Sequence, residues 1–141
     1  MLFRSEPALR AQCFQAIEPA FVGEVRAGDL IVAGENFAHH SHPHVCVALK
    51  CSGIAAVVVE SCDTHFVRKS LNIGLPVVVC PGIAGLVSRF DPIELDIAAG
   101  SVRNLAGGGG LNFRPYAPRM VAIVRAGGLI KLLKEEHAAA A

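Results

Sequence analysis

The chain has 141 residues, enough for one domain with a buried core and too few for an enzyme of the larger classes. Hydrophobic residues make up 52% and charged residues 18%, against roughly 25% charged in an average soluble domain. With 13 Lys plus Arg against 12 acids the net charge is +1, which leaves no electrostatic footprint for nucleic acid or an anionic membrane. Taken in chain order, residues 5–17 read as a first helix. Ser5 is placed to cap it, Pro7 fits an early helical position, and Leu9, Cys13, Phe14 and Ile17 form its apolar face. Gly28-Asp29 turns the chain into a short strand at 30–33, and a helix at 43–52 is stopped by Gly53. Residues 54–60 are continuous and β-branched, the pattern of a strand buried on both faces. A helix at 64–72 ends at Gly74, and 76–80 is another buried strand. This alternation with short connections predicts a parallel α/β unit.

Further along, residues 93–97 alternate apolar and acidic side chains, as a half-exposed strand does. Segments 101–105 and 111–113 flank Gly107-Gly108-Gly109-Gly110, read as a hairpin loop because no Lys-Ser or Lys-Thr follows to make a phosphate cradle. Two closing helices are predicted at 118–125 and 129–136, with His137 and the alanine tail frayed. Residues 1–141 are read as one domain. No apolar run approaches the ~18 residues of a membrane span, and charges in the first ten positions stand where a signal peptide needs its apolar stretch, so a cytoplasmic chain is expected. Cys13, Cys46, Cys51, Cys62 and Cys80 form no Cys-x-x-Cys pair and are odd in number, which supports neither a disulfide framework nor a zinc ribbon. So apolar a surface is expected to be covered by another subunit.

Chemistry concentrates in Asn36-Phe37-Ala38-His39-His40-Ser41-His42-Pro43-His44-Val45-Cys46. This stretch lies between a strand end and a helix start, where parallel α/β units bind ligands. Pro43 suits the first helical turn, with Ser41 or His42 near the cap and free N–H groups facing out toward a carboxylate or phosphate. Three readings stay open: an anion or substrate pocket, a metal site built on the alternating His40, His42 and His44, and a polar loop without function. A helix starting at Pro43 breaks the histidine alignment that metal binding needs. His65 reads as a surface or capping histidine, and Arg68 with Lys69 as a solvated helix face.

Several strings taken together carry a family resemblance. Gly28-Asp29-Leu30-Ile31-Val32-Ala33-Gly34-Glu35-Asn36-Phe37 resembles the segment before the active-site loop of small subunits of 3-isopropylmalate dehydratase, the stand-alone aconitase swivel domain. The similarity continues through Ala48-Leu49-Lys50, Gly53-Ile54, Glu60-Ser61, Asn72-Ile73-Gly74-Leu75-Pro76 and Ala126-Gly127-Gly128-Leu129-Ile130. Upstream, the stretch from Cys13-Phe14 to Pro19-Ala20-Phe21 has the same look. The resemblance implies a swivelling β/β/α domain and half of a hydro-lyase of leucine biosynthesis. A large subunit would hold a [4Fe–4S] cluster that takes the substrate hydroxyl, with no cofactor bound by this chain. The small subunit would close over a small hydroxy-acid substrate and supply a serine base and arginine contacts to carboxylates.

The departures fall on the functional positions. Family members carry Gly-Ser-Ser-Arg-Glu-His after Asn-Phe. Here the stretch reads His40-Ser41-His42-Pro43-His44, one residue shorter, leaving Ser41 for the base role and no arginine. Thr64 stands where the family has a second arginine, while Arg68 matches the arginine that follows. The expected site is therefore Ser41 as base, with His40, His42, His44 and Arg68 toward the substrate. Losing an arginine–carboxylate contact costs on the order of 1.5–3 kcal/mol, so an altered hydroxy-acid substrate is expected. The family's opening strand has no counterpart in this sequence, and the fold is expected to lack it. Two alternatives remain: a non-catalytic or regulatory homologue, and a self-associating metal-binding module. The apolar surface is expected to meet the large subunit, or copies of this domain when the chain is alone.

Overall fold

The computed structural model describes residues 5–39 and 42–140. Three strands, β1 (Leu30–Ala33), β2 (Ala56–Val59) and β3 (Val77–Val79), form a parallel sheet in that order. The crossovers are α3 (Pro43–Cys51) and α4 (Thr64–Asn72). Three more strands, β4 (Ile93–Asp96), β5 (Ser101–Asn104) and β6 (Gly110–Asn112), form an antiparallel meander. The remaining helices are α1 (Glu6–Gln12), α2 (Phe21–Glu24), α5 (Ile83–Leu86), α6 (Pro118–Ala126) and α7 (Leu129–Ala140).

Period-two alternation divides the core between the two faces of the parallel sheet. Val57, Val59 and Val77 join Leu49 of α3, Phe66 of α4 and Cys13 in one cluster. Val58 and Val78 point the other way, onto Ile83, Val102 and the partly buried Ile93, Leu95 and Leu111. Every residue of β2 is buried, which explains its unbroken β-branched run: each valine meets a layer, and full burial contributes about 1.5–3 kcal/mol per side chain. The layers are thus meander, parallel sheet and helices, the expected β/β/α order. In β4 exposed and half-buried residues alternate, because one face covers the core and the other meets water.

Several resemblance strings meet in space. Lys50 Nζ donates to the carbonyls of Ile73 and Gly127, the latter at 3.1 Å, tying α3 to the C-terminal ends of α4 and α6. Gly74 has φ 78°, and a Cβ there would lie 2.5 Å from the Gly127 carbonyl carbon. Three strings distant in sequence form one packing node, at the end of the helices opposite the one where α3 and α4 begin.

Some sequence expectations are corrected. The first helix stops at Gln12 rather than 17, because Phe14 turns to φ 55° and sets its ring against Phe21 at a tilt of 58°, centroids 4.8 Å apart. Ile17, assigned to the apolar face, is 81% exposed. The helix expected to end at 136 runs to Ala140 without fraying at His137, consistent with alanine's high helix propensity. The short helices α2 and α5 were not foreseen, since four residues carry no readable period.

Candidate functional site

The connection leaving β1 is pinned to the end of β2. The Asn36 amide donates to Ser61 Oγ at 2.9 Å and the Phe37 amide to the Ser61 carbonyl at 3.0 Å. The Phe37 ring meets Phe66 edge-on at 5.6 Å, anchoring the connection over the helix-side core. Asn36 and Ala38 both adopt left-handed backbone, φ 56° and 57°. That conformation is tolerated by asparagine and costs about 1–2 kcal/mol at alanine. Such strain persists where surrounding contacts over-determine it.

Three helices begin beside the C-terminal ends of the strands, and two have carboxylates of this chain at their N-termini. Asp63 caps α4, its Oδ1 accepting the His65 amide at 2.8 Å. Glu60, just past β2, accepts the Gly82 amide at 2.7 Å and the Ala84 amide at 2.8 Å at the start of α5. Those bonds, Ala84 first, hold the Glu60 carboxyl below the usual carboxylate range. The third helix, α3, opens at His42 in extended conformation with Pro43 behind it, and the His42 side chain makes no cap bond. Its N-terminal N–H groups and partial positive charge are therefore not offset by His42.

The structure brings His42 and His44, both exposed at the first turn of α3, to the same sheet edge as the start of α4. Arg68 is exposed on the second turn of α4, and its Nη2 donates to His65 Nδ1 at 3.1 Å. A guanidinium has no acceptor, so Nδ1 must be the acceptor and a neutral His65 carries its proton on Nε2. His40 and Ser41, the expected base, lie outside the described residues. Sequence reasoning passed over the site-edge parts played by His65, Glu60 and Ser61. An Asp-x-His start to α4 and a Glu-Ser pair ending a buried strand were the signals available. Val45, at the first turn of α3, and Val79, at the end of β3, are 37% and 44% exposed on this edge.

No cofactor cradle emerges from the cysteines. All five are free; Cys13 and Cys46 sit in the helix-side core and Cys80 in the other, with burial pushing their thiols up. Among the described residues no three His, Cys, Asp or Glu side chains group so as to hold a metal ion. These residues do not fit an iron–sulfur cluster. Among them, too, no helix is long and apolar enough to cross a membrane.

Fold and site together define a class: a β/β/α swivelling domain with a polar edge where helices start from a parallel sheet. No protein-family model matches the chain. It is 42% identical over 129 residues to the 3-isopropylmalate dehydratase small subunit 1 of Methanopyrus kandleri, covering 91% of this chain and 76% of that protein. It is 35% identical to the 3-isopropylmalate dehydratase small subunit of Caldicellulosiruptor bescii, covering 91% and 78%. The crystal structure of 3-isopropylmalate dehydratase from Methanocaldococcus jannaschii superposes with a TM-score of 0.86 at 27% identity, covering 96% of this chain and 81% of that one. The chain belongs to the family of 3-isopropylmalate dehydratase small subunits.

Proposed function

We propose that this chain, as one swivel domain, is the small half of a cytoplasmic aconitase-type hydro-lyase and closes over a small hydroxy acid held by a large subunit. The substrate class is 3-isopropylmalate or a related 2- or 3-hydroxy acid. The observation that carries this reading is the start of α3, where His42 supplies no cap, on an edge that also bears Arg68. Abstracting a proton next to a carboxylate and expelling hydroxide requires a base, an electrophile and cations for the acid groups. Ser41 is assigned the base. Arg68, oriented by His65, and the α3 N–H groups hold carboxylates, with His40, His42 and His44 as further donors. The [4Fe–4S] cluster belongs on this reading to the large subunit, and this chain's share is proton transfer and carboxylate binding. Exposed Val45 and Val79 supply apolar contact for the closing surface.

Co-purification with a cluster-bearing large subunit, followed by assay against a panel of 2- and 3-hydroxy acids, tests the proposal. Turnover that falls by ~100-fold or more in Ser41→Ala is the expected result. A complex without turnover on any of these acids would sink the enzymatic reading. A non-catalytic homologue is the second reading, favoured by Thr64 and by the absence of arginine from residues 36–46. It predicts that Ser41→Ala leaves the activity of the complex unchanged.

A further inference from the structure

Where the β1–β2 ladder ends, the β1 side carries an extra residue. Ala33 pairs with Val59, and the Glu60 amide donates to the Ala33 carbonyl at 3.2 Å. The two segments meet once more in a parallel bridge between Phe37 and Cys62. Between these pairings lie residues 34–36 on one side and only 60–61 on the other, the unequal count of a β-bulge. Asn36, at φ 56°, makes the turn that absorbs the extra residue. In a regular strand successive amides point to opposite sides. Here both reach Ser61, the Asn36 amide its Oγ at 2.9 Å and the Phe37 amide its carbonyl at 3.0 Å.

The Asn36 bond is exposed, and water satisfies such an amide nearly as well, so the hydroxyl adds little to stability. Water does not hold the amide in one place. Ala38 is left-handed too, φ 57°, so two strained residues flank Phe37. They are held between Ser61 and the contact of the Phe37 ring with the fully buried Phe66. Bulges that re-aim a chain, and strain held by its surroundings, both concentrate beside functional sites. Residues 38–42 then lead to Pro43, the first residue of α3.

We propose that Ser61 is a positioning residue of the candidate site: its hydroxyl pins the bulge and so sets how the following segment, which carries Ser41, enters α3. The proposal rests on the reading of Ser41 as base. A base works only within hydrogen-bond reach of the proton it removes, and a misplacement of ~1 Å costs up to about a hundredfold in rate. Ser61 acts through the backbone and not on substrate, so its loss belongs in kcat rather than KM.

Steady-state kinetics of the complex with the cluster-bearing large subunit tests the proposal, on whichever acid of the 2- and 3-hydroxy-acid panel, 3-isopropylmalate included, is turned over fastest. Ser61→Ala should lower kcat about tenfold or more and leave KM within about twofold, and Ser61→Thr, which keeps the hydroxyl, should recover most of the loss. Parent-like kcat in Ser61→Ala, with Ser41→Ala inactive, would overturn the proposal and leave the catalytic reading standing. A rise in KM alone would overturn it as well, since that marks a group that binds substrate. Should Ser61→Ala fail to fold, Asn36→Gly, which takes a positive φ freely, should keep kcat, and Asn36→Val, which resists it, should lower it. Equal rates for those two would count against the bulge. If the parent complex turns over none of the acids, the catalytic reading falls and backbone NMR of the chain alone decides the positioning. Asn36 amide exchange should then quicken about tenfold or more in Ser61→Ala, with shift changes reaching His42 and His44. Unchanged exchange at Asn36, or shift changes that stop at Phe37, would overturn the proposal.

Discussion

Two nine-residue helices, α3 and α4, start from the same edge of the same sheet and begin in opposite ways. Asp63 closes the start of α4 with its own carboxylate, whereas the start of α3 is preceded by a histidine that makes no such bond. The positive end of α4 meets a carboxylate of its own helix start, and that of α3 receives no such bond from His42. A helix that leaves its N-terminus without an acidic cap forgoes about 1 kcal/mol, a cost that makes sense where an anionic ligand supplies the missing charge. The lesson is that evidence for a binding site lies in the contrast between neighbouring helix starts more than in the histidine count.

Breaking the shared anchor should have the largest effect. Phe66→Ala empties a fully buried position that holds α4 to the core and Phe37 to the connection before α3, and should cost about 3–5 kcal/mol in chemical denaturation. A loss below ~1 kcal/mol would mean that the two helix starts do not share an anchor. Gly74→Ala strains the far node through its φ of 78° and its approach to Gly127. It should cost about 2–4 kcal/mol while leaving anion binding at α3 unchanged, as calorimetry with citrate as probe would show.

Asp63→Ala should cost about 1 kcal/mol and His42→Ala only a few tenths, because one removes a cap bond and the other does not. Replacing His42 by aspartate sharpens the contrast. It should stabilise the fold by about 1 kcal/mol and abolish anion binding, making α3 start as α4 does. The smallest effect concerns α5. Because the folded Glu60 carboxyl is depressed by the Ala84 and Gly82 amides, its contribution is fully present above the ordinary carboxylate pKa of about 4.3. That contribution is lost as pH falls through the folded value. Glu60→Gln should therefore lower thermal stability at neutral pH, and the difference from the parent should vanish in acid.

Much of the fold was legible because its signals are local. The β-branched run of β2, the Gly and Pro punctuation around α3 and α4, and the alternation of β4 each follow from neighbours in sequence. The first helix was over-extended because Phe14 leaves the helix for a ring contact with Phe21, a residue beyond the helical period. The candidate site was read in the sequence as a place, between β1 and α3, and less so as a set of parts. Arg68 and His65 look like ordinary helix-face residues until i to i+3 spacing brings Nη2 to Nδ1, and Ser61 matters only because its hydroxyl reaches a backbone 25 residues away.

The sequence alone determined the class of fold, the family resemblance and the departure from it around Ser41, Pro43 and Thr64, since these reside in residue identity and short-range order. Tertiary structure decided which of the strings that carry the resemblance pack against one another. Lys50, Gly74 and Gly127 meet at one end of the helices, and Asn36 with Ser61 at the other, through contacts that no spacing announces. It also decided that the Val77 edge of the sheet is stoppered by the Tyr116 hydroxyl, because hydrogen-bond satisfaction at an edge depends on what the rest of the chain brings to it.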